Sequence, residues 1–228
     1  MTTLAERLTQ AHTRIDNAAK AANRAPDEIM LLAVSKTKPA GMIAEAYAAG
    51  CRNFGENYLQ EALDKVAELT DKNDIVWHFI GPLQSNKTRP AAETFAWVHT
   101  VDRLKIAQRL NDQRPPAMAA LNVCLQVNIS NEPSKSGVSV AELPQLADAV
   151  SKMPNLRLRG LMAIPAESDD PLEQRSAFAA LRHALTELQQ QHPQMDTLSM
   201  GMSGDMDAAI LEGSTMVRIG TAIFGTRT

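Results

Sequence analysis

Lys36 is the first residue in this sequence whose setting could make it reactive. It follows the apolar run LLAVS and is succeeded by Thr37, Lys38 and Pro39. Partial desolvation at the end of a buried strand favours the neutral amine that attacks an aldehyde to form an imine. A solvated or salt-bridged lysine fits the same position, so spacing alone leaves both open. Two further pairs, Ser203-Gly204 and Gly220-Thr221, each join a small hydroxyl to an unhindered glycine amide, and the first precedes a short helical stretch beginning near Asp205. A hydroxyl and open amides at a helix start suit an anion, phosphate in particular. Taken singly, Ser203 also reads as an N-cap and Gly220 as a turn residue. Arg218 lies inside the apolar run MVRI. Strand alternation sets it opposite to Val217 and Ile219, and a guanidinium pointing inward requires either an ion pair or a ligand.

Other reactive types carry less. His78 and His99 lie in or beside apolar runs and read as satisfied core or rim histidines. No HExxH motif or Cys/His cluster occurs, so no metal is expected. Cys51 and Cys124 have no ligand spacing and read as reduced, buried thiols. Met200, Met202, Met206 and Met216 read as packing residues. Lys38 and Lys135 are candidates for a second, non-covalent phosphate contact at the mouth of the site.

The elements that must position these residues alternate along the chain. Apolar runs recur at 29–34, 76–80, 96–101, 122–127, 156–162, 198–200 and 216–224, with a weaker one at 52–55. Helical periodicity fills 42–49, 58–69, 104–110, 143–150 and 172–188, with shorter stretches at 85–93 and 205–211. Before them Leu4, Leu8, Ala11, Ile15, Ala18 and Ala22 mark one face of an N-terminal helix that ends near 23–26. Strands alternating with helices imply a parallel sheet, and runs without strict alternation suit strands buried on both faces. Eight such units predict a TIM (β/α)8 barrel with one added helix; an open doubly wound sheet is the alternative. No linker divides residues 1–228, which read as one domain. In a barrel, chemistry sits on the loops that follow the strands. Lys36, Asn57, Ser203-Gly204 and Gly220-Thr221 all fall there.

Bulk properties agree with a globular chain. Of 228 residues 44% are hydrophobic and 21% charged, and the net charge of −3 offers no basic field for nucleic acid or anionic lipid. No apolar stretch approaches the roughly 18 residues of a membrane span, and the start, MTTLAERLTQ, lacks a signal-peptide core. A cytoplasmic location is expected.

The runs LLAVSKTKP, NFGENYLQEALDK, WHFIGPLQSNK, LQVNIS, EPSKSGV, GLMAIP and LSMGMSGDMDAAILEGSTMVRIGTAIFG follow one another in an order that resembles the pyridoxal phosphate homeostasis proteins. The likeness spans nearly the whole chain. It implies a fold type III barrel similar to the N-terminal domain of bacterial alanine racemase, with pyridoxal 5'-phosphate as an internal aldimine on Lys36. It also implies that Ser203, Gly204, Gly220 and Thr221 hold the phosphate, that Arg218 meets the pyridine nitrogen, and that Asn57 lies beside the ring. A guanidinium facing that nitrogen would leave the ring unprotonated and a weak electron sink.

The sequence also departs from the racemase. It ends three residues after Gly225, leaving no room for a C-terminal β-domain, and this points to a monomer. Tyr47 and Tyr58 are the only tyrosines, and neither stands where an opposing catalytic acid would be placed, whereas racemisation needs proton transfer on two faces. The first reading is therefore a non-enzymatic protein that binds, buffers and delivers pyridoxal phosphate, with other B6 vitamers and pyridoxal-dependent apo-enzymes as its partners and indirect effects on amino- and keto-acid metabolism. A weak racemase or lyase of unknown substrate is the second. A barrel enzyme acting on a phosphorylated metabolite without pyridoxal is the third.

Overall fold

The apolar runs become parallel strands because each is covered twice, by the barrel interior on one face and by helices on the other. The computed structural model describes residues 2–133 and 135–226. Its strands are β1 (Met30–Val34), β2 (Asn53–Glu56), β3 (Val76–Phe79), β4 (Trp97–Val101), β5 (Leu121–Gln126), β6 (Leu156–Met162), β7 (Thr197–Ser199) and β8 (Met216–Ile219). Each pairs in parallel with the next, and β8 returns to β1 in a register running from Met30 opposite Met216 to Ala33 opposite Ile219. That last pairing closes the barrel and excludes the open doubly wound sheet.

The helices are α1 (Leu4–Ala21), α2 (Ala40–Ala48), α3 (Leu59–Glu68), α4 (Thr88–Thr94), α5 (Leu104–Gln113), α6 (Leu143–Ser151), α7 (Pro171–Gln189), α8 (Met206–Leu211) and α9 (Thr221–Phe224). The run expected as one strand over 216–224 is two elements. Its strand stops at Ile219, and Gly220 turns the chain into a single helical turn that keeps Ile223 and Phe224 buried. The weak run near 52–55 is a true strand, held between β1 and β3.

Alternation sorts the core into two bodies. Leu32, Val34, Ile80, Trp97, Cys124, Met162 and Met216 pack inside the barrel. Their neighbours Leu31, Ala33, Phe54, Phe79, Val98, Val123 and Val217 face the helices and join a larger outer core. Both cysteines are buried thiols. The added helix α1 starts in a capping box between Thr3 and Glu6 and buries Leu4, Leu8, Ala11, Ile15 and Ala19. It lies against α8 and α9, the two elements that follow β7 and β8.

Strands β6 and β7 approach closely at Gly160. Gly160 stands beside Thr197 in register, and a Cβ added there would lie 1.8 Å from the Thr197 carbonyl oxygen. Backbone must move to admit it. Gly160→Ala is therefore expected to destabilise by about 3 kcal/mol, the upper end for overpacking, and to lower Tm by roughly 6–12 °C in calorimetry. A Tm within about 2 °C of wild type would show that the two strands separate freely.

Among the described residues, no helix is long and apolar enough to cross a membrane, and no group of three or more His, Cys, Asp or Glu could hold a metal ion.

Candidate functional site

The strand ends meet around one cavity of about 430 Å³ at the C-terminal mouth of the barrel. Lys36, Asn57, Ser203, Gly204, Arg218, Gly220 and Thr221 all line it, so the structure brings these seven residues expected from sequence together, whereas the rim candidate Lys135 does not line it. Val34, Ile80, Ile164 and Phe224 supply its apolar wall. A volume of this size suits a small cofactor.

Lys36 is half-buried on the tight turn after β1. Thr37, next to it, has φ +63°, a conformation that is rare for a β-branched residue and costs on the order of 1–3 kcal/mol. A buried network fixes the turn on either side of Lys36. Lys65, on α3 and only 4% exposed, donates to the Ser35 carbonyl at 2.8 Å and to Glu56 Oε1 and Oε2 at 2.8 and 3.0 Å. It also bonds Glu61. The Ser35 hydroxyl donates to Glu56 at 2.5 Å, and the Thr37 amide donates to Glu61 at 2.6 Å. Burial pushes the Glu56 carboxyl above the usual range, opposed by the hydrogen bonds from Lys65 and Ser35. Sequence reading missed this network, although Lys65 lies on the apolar stripe of α3 with Leu59, Ala62 and Leu69. A charge on such a stripe implies a buried partner.

Arg218 points into the barrel, as alternation required. Its Nη1 donates to the Ser199 carbonyl at 2.7 Å and the Ser199 hydroxyl at 2.9 Å, and its Nη2 donates to the Ala163 carbonyl at 3.0 Å. Among the described residues it makes no ion pair. Burial pushes the guanidinium down to about 10, partly offset by Asp205, so it stays charged at neutral pH. Among the described residues Asn57 Oδ1, a buried acceptor, has no hydrogen-bond partner. Gly81 lets the chain pass against it, since a Cβ at Gly81 would lie 2.0 Å from the Asn57 carbonyl oxygen.

The loop after β7 is folded by Asp205, whose Oδ1 accepts from the Met202 amide at 2.6 Å, and this leaves Ser203 and Gly204 at its tip. A Cβ built on Gly204 would meet nothing within 4 Å, so space is open over that backbone. Asp205, not Ser203, occupies the N-cap position of α8. With six residues in α8 and four in α9, the macrodipoles are small, and anion affinity here rests on individual N–H and O–H donors. Arg14 of α1 braces the loop from behind, donating to the Ser203 carbonyl at 2.7 Å and pairing with Asp207.

Around the rim, Lys38 lines the cavity while its Nζ donates to the Thr226 carbonyl at 2.7 Å. Lys135 instead ties its loop to the Pro165 carbonyl at 2.9 Å. Glu167, exposed at the mouth, is a lining acid that sequence reading passed over. Tyr47 bonds Asp74 beneath Arg52, and Tyr58 is 49% exposed over a neighbouring groove; neither lines the cavity.

A buried guanidinium that makes no ion pair among the described residues, a carboxamide oxygen with no described partner, open backbone at Gly204 and a half-buried lysine suit a small anionic ligand with hydrogen-bonding groups. Pyridoxal phosphate has that chemistry, and the residues fit it.

Comparison with known proteins points the same way. Residues 13–228 match the family described as alanine racemase, N-terminal domain. The chain is 61% identical over 227 residues to the pyridoxal phosphate homeostasis protein of Pseudomonas aeruginosa, covering all of this chain and 97% of that one. It is 56% identical to the protein of the same name in Escherichia coli, covering 100% and 98%. Among solved structures, PipY of Synechococcus elongatus with pyridoxal phosphate bound superposes with a TM-score of 0.84 at 42% identity, over 98% of this chain and 100% of that one. Alanine racemase of Corynebacterium glutamicum, at 20% identity and a TM-score of 0.69, shares the fold over 95% of this chain and 60% of its own.

Proposed function

Because the chain belongs to the alanine racemase N-terminal domain family, and within it to the pyridoxal phosphate homeostasis proteins, we propose that it binds pyridoxal 5'-phosphate covalently through Lys36 and serves to buffer and deliver it. The observation that carries this reading is convergence: the lysine, the buried guanidinium and the two hydroxyl–glycine pairs share one cavity. Pyridoxal phosphate supplies an aldehyde that bonds amines and a ring that accepts electrons. Lys36 provides the amine, and the turn bonded to Lys65 and Glu61 keeps it at the cavity wall. Ser203, Gly204, Gly220 and Thr221 hold the phosphate with hydroxyl and backbone donors. Arg218 donates to the ring nitrogen and, charged well above neutral pH, keeps its proton there. That arrangement binds the ring while leaving it a poor electron sink. Asn57 would lie beside the ring. We read residues 1–228 as one domain, acting as a monomer in the cytoplasm.

The functional test uses the loaded protein. It is expected to pass cofactor to a pyridoxal-dependent apo-enzyme faster than spontaneous release and dilution explain, and to leave a panel of amino acids unchanged in both enantiomer and keto-acid content. Amino-acid turnover that disappears in Lys36→Ala would overturn the binding-protein reading in favour of a racemase or lyase.

The phosphate loop gives a smaller effect. Arg14 is part-exposed, so its bonds to Ser203 and Asp207 are discounted for solvent to about 1 kcal/mol, and Arg14→Ala is expected to weaken retention of pyridoxal phosphate roughly five-fold in equilibrium dialysis. Unchanged retention would show that the loop holds its shape without α1.

A further inference from the structure

Beneath the cavity, the barrel interior contains one continuous line of polar groups set among apolar ones. Arg218 Nη1 donates to Ser199 Oγ at 2.9 Å; Ser199 Oγ lies 2.8 Å from His99 Nδ1; His99 Nε2 lies 3.0 Å from His78 Nδ1; His78 Nε2 lies 3.2 Å from Asn53 Oδ1. Ser199, His99 and His78 are wholly buried, and His78 stacks on Trp97. Four strands besides β8 contribute, so the line crosses the barrel from the cavity floor towards the start of β2.

The two ends fix the direction of every proton. A guanidinium only donates, and a carboxamide oxygen only accepts. His78 must therefore carry its proton on Nε2 and accept at Nδ1. His99 then donates from Nε2 and accepts at Nδ1, and the Ser199 hydroxyl donates to it while accepting from Arg218. Each group makes one donation and one acceptance, with both imidazoles neutral. Burial agrees, pushing His78 down to about 3 and His99 well below its usual range. A neutral line that begins on a guanidinium has no proton to deliver. Its physical effect is to hold that guanidinium in place.

We propose that Ser199, His99 and His78 are positioning residues for Arg218, locking its orientation so that its remaining donors face the ring nitrogen of the cofactor. This rests on the reading that Arg218 meets that nitrogen, and it extends the site to residues that never touch the ligand. Two features follow from it. The orientation of Arg218 is set by acceptors on β7 and just after β6 before any ligand arrives, and the histidines hold single tautomers in the ligand-free chain.

The test combines two readouts on the full chain. Long-range proton–nitrogen correlation spectra of the ligand-free wild type are expected to show His78 and His99 both as neutral Nε2–H tautomers. In Ser199→Ala, the His99 nitrogens are expected to shift, bound pyridoxal phosphate to change its absorbance maximum, and its release to quicken roughly ten-fold. The borohydride-fixed adduct on Lys36 is expected to persist. An Nδ1–H tautomer at His99 in the wild type would overturn the proposed direction whether or not the variant folds. Wild-type absorbance and release in a folded Ser199→Ala would overturn the positioning role. Both failures leave the adduct on Lys36 intact, whereas a wild-type chain that takes up no pyridoxal phosphate would overturn the proposed function itself.

Discussion

Lys36→Ala, mixed with pyridoxal phosphate and reduced with borohydride, is expected to show no covalent adduct by intact-mass measurement, while the wild-type chain is labelled on a single lysine. The selectivity follows from placement. Lys36 is half-buried against the cavity wall beside the loops proposed to hold the phosphate, on a turn whose neighbours on both sides are bonded to Lys65, Glu56 and Glu61. Lys38 lines the same cavity with its amine turned to the Thr226 carbonyl, and Lys135, which ties its loop to Ile164 and Pro165, is not among the residues that line it. Lys38→Ala is thus expected to keep the adduct. The proposed phosphate and ring contacts do not involve Lys36, so Lys36→Ala is expected still to bind pyridoxal phosphate but to lose it on dialysis. An imine fixed on Lys38 or Lys135, or undiminished labelling of Lys36→Ala, would defeat the assignment.

How much of this could be read from sequence depended on whether one element or two had to be known. The apolar runs declared the strands one at a time, and a barrel places whatever follows them at one mouth, so Lys36, Asn57, Ser203 and Gly220 could be grouped without coordinates. Arg218 was legible from alternation within β8, but its partners were not: Ser199 and Ala163 come from β7 and from the end of β6, and only closure of the barrel brings them near. The line through His99 and His78 was hidden for the same reason, and each histidine alone reads as ordinary core. At 216–224 the apolar character continues through a change of period, which concealed the turn at Gly220. The bracing of Ser203 by Arg14 joins residues 189 positions apart, and amphipathicity reports only the buried face of α1, not the side chain that reaches over its edge.

Lys65 carries the second large expected effect, because it satisfies a carboxylate that has no water. Glu56 is fully buried on the outer face of β2, beside Phe79 in register, and Lys65 reaches it from α3. In Lys65→Met the methionine suits the apolar stripe, but the Glu56 charge loses its cation and the Ser35 carbonyl loses its donor. Removing one partner of a buried pair typically destabilises by about 3–5 kcal/mol, which corresponds to a Tm lowered by roughly 6–20 °C. The deficit should depend on pH in a defined direction. Burial already raises the Glu56 carboxyl, and without Lys65 only the hydrogen bond from Ser35 still opposes that rise. A carboxyl whose folded pKa exceeds its unfolded value of about 4.3 binds its proton more tightly in the folded state. Its favourable contribution is complete below the unfolded value and is lost as pH rises through the folded one. Urea unfolding of Lys65→Met at about pH 5 and about pH 8 should therefore show the larger deficit at the higher pH. Adding Glu56→Gln removes the buried charge and is expected to recover most of the loss and to flatten the pH dependence. A deficit below about 1 kcal/mol, or one equal at both pH values, would mean that solvent reaches Glu56. The turn bearing Lys36 would then owe its shape to something other than this pair.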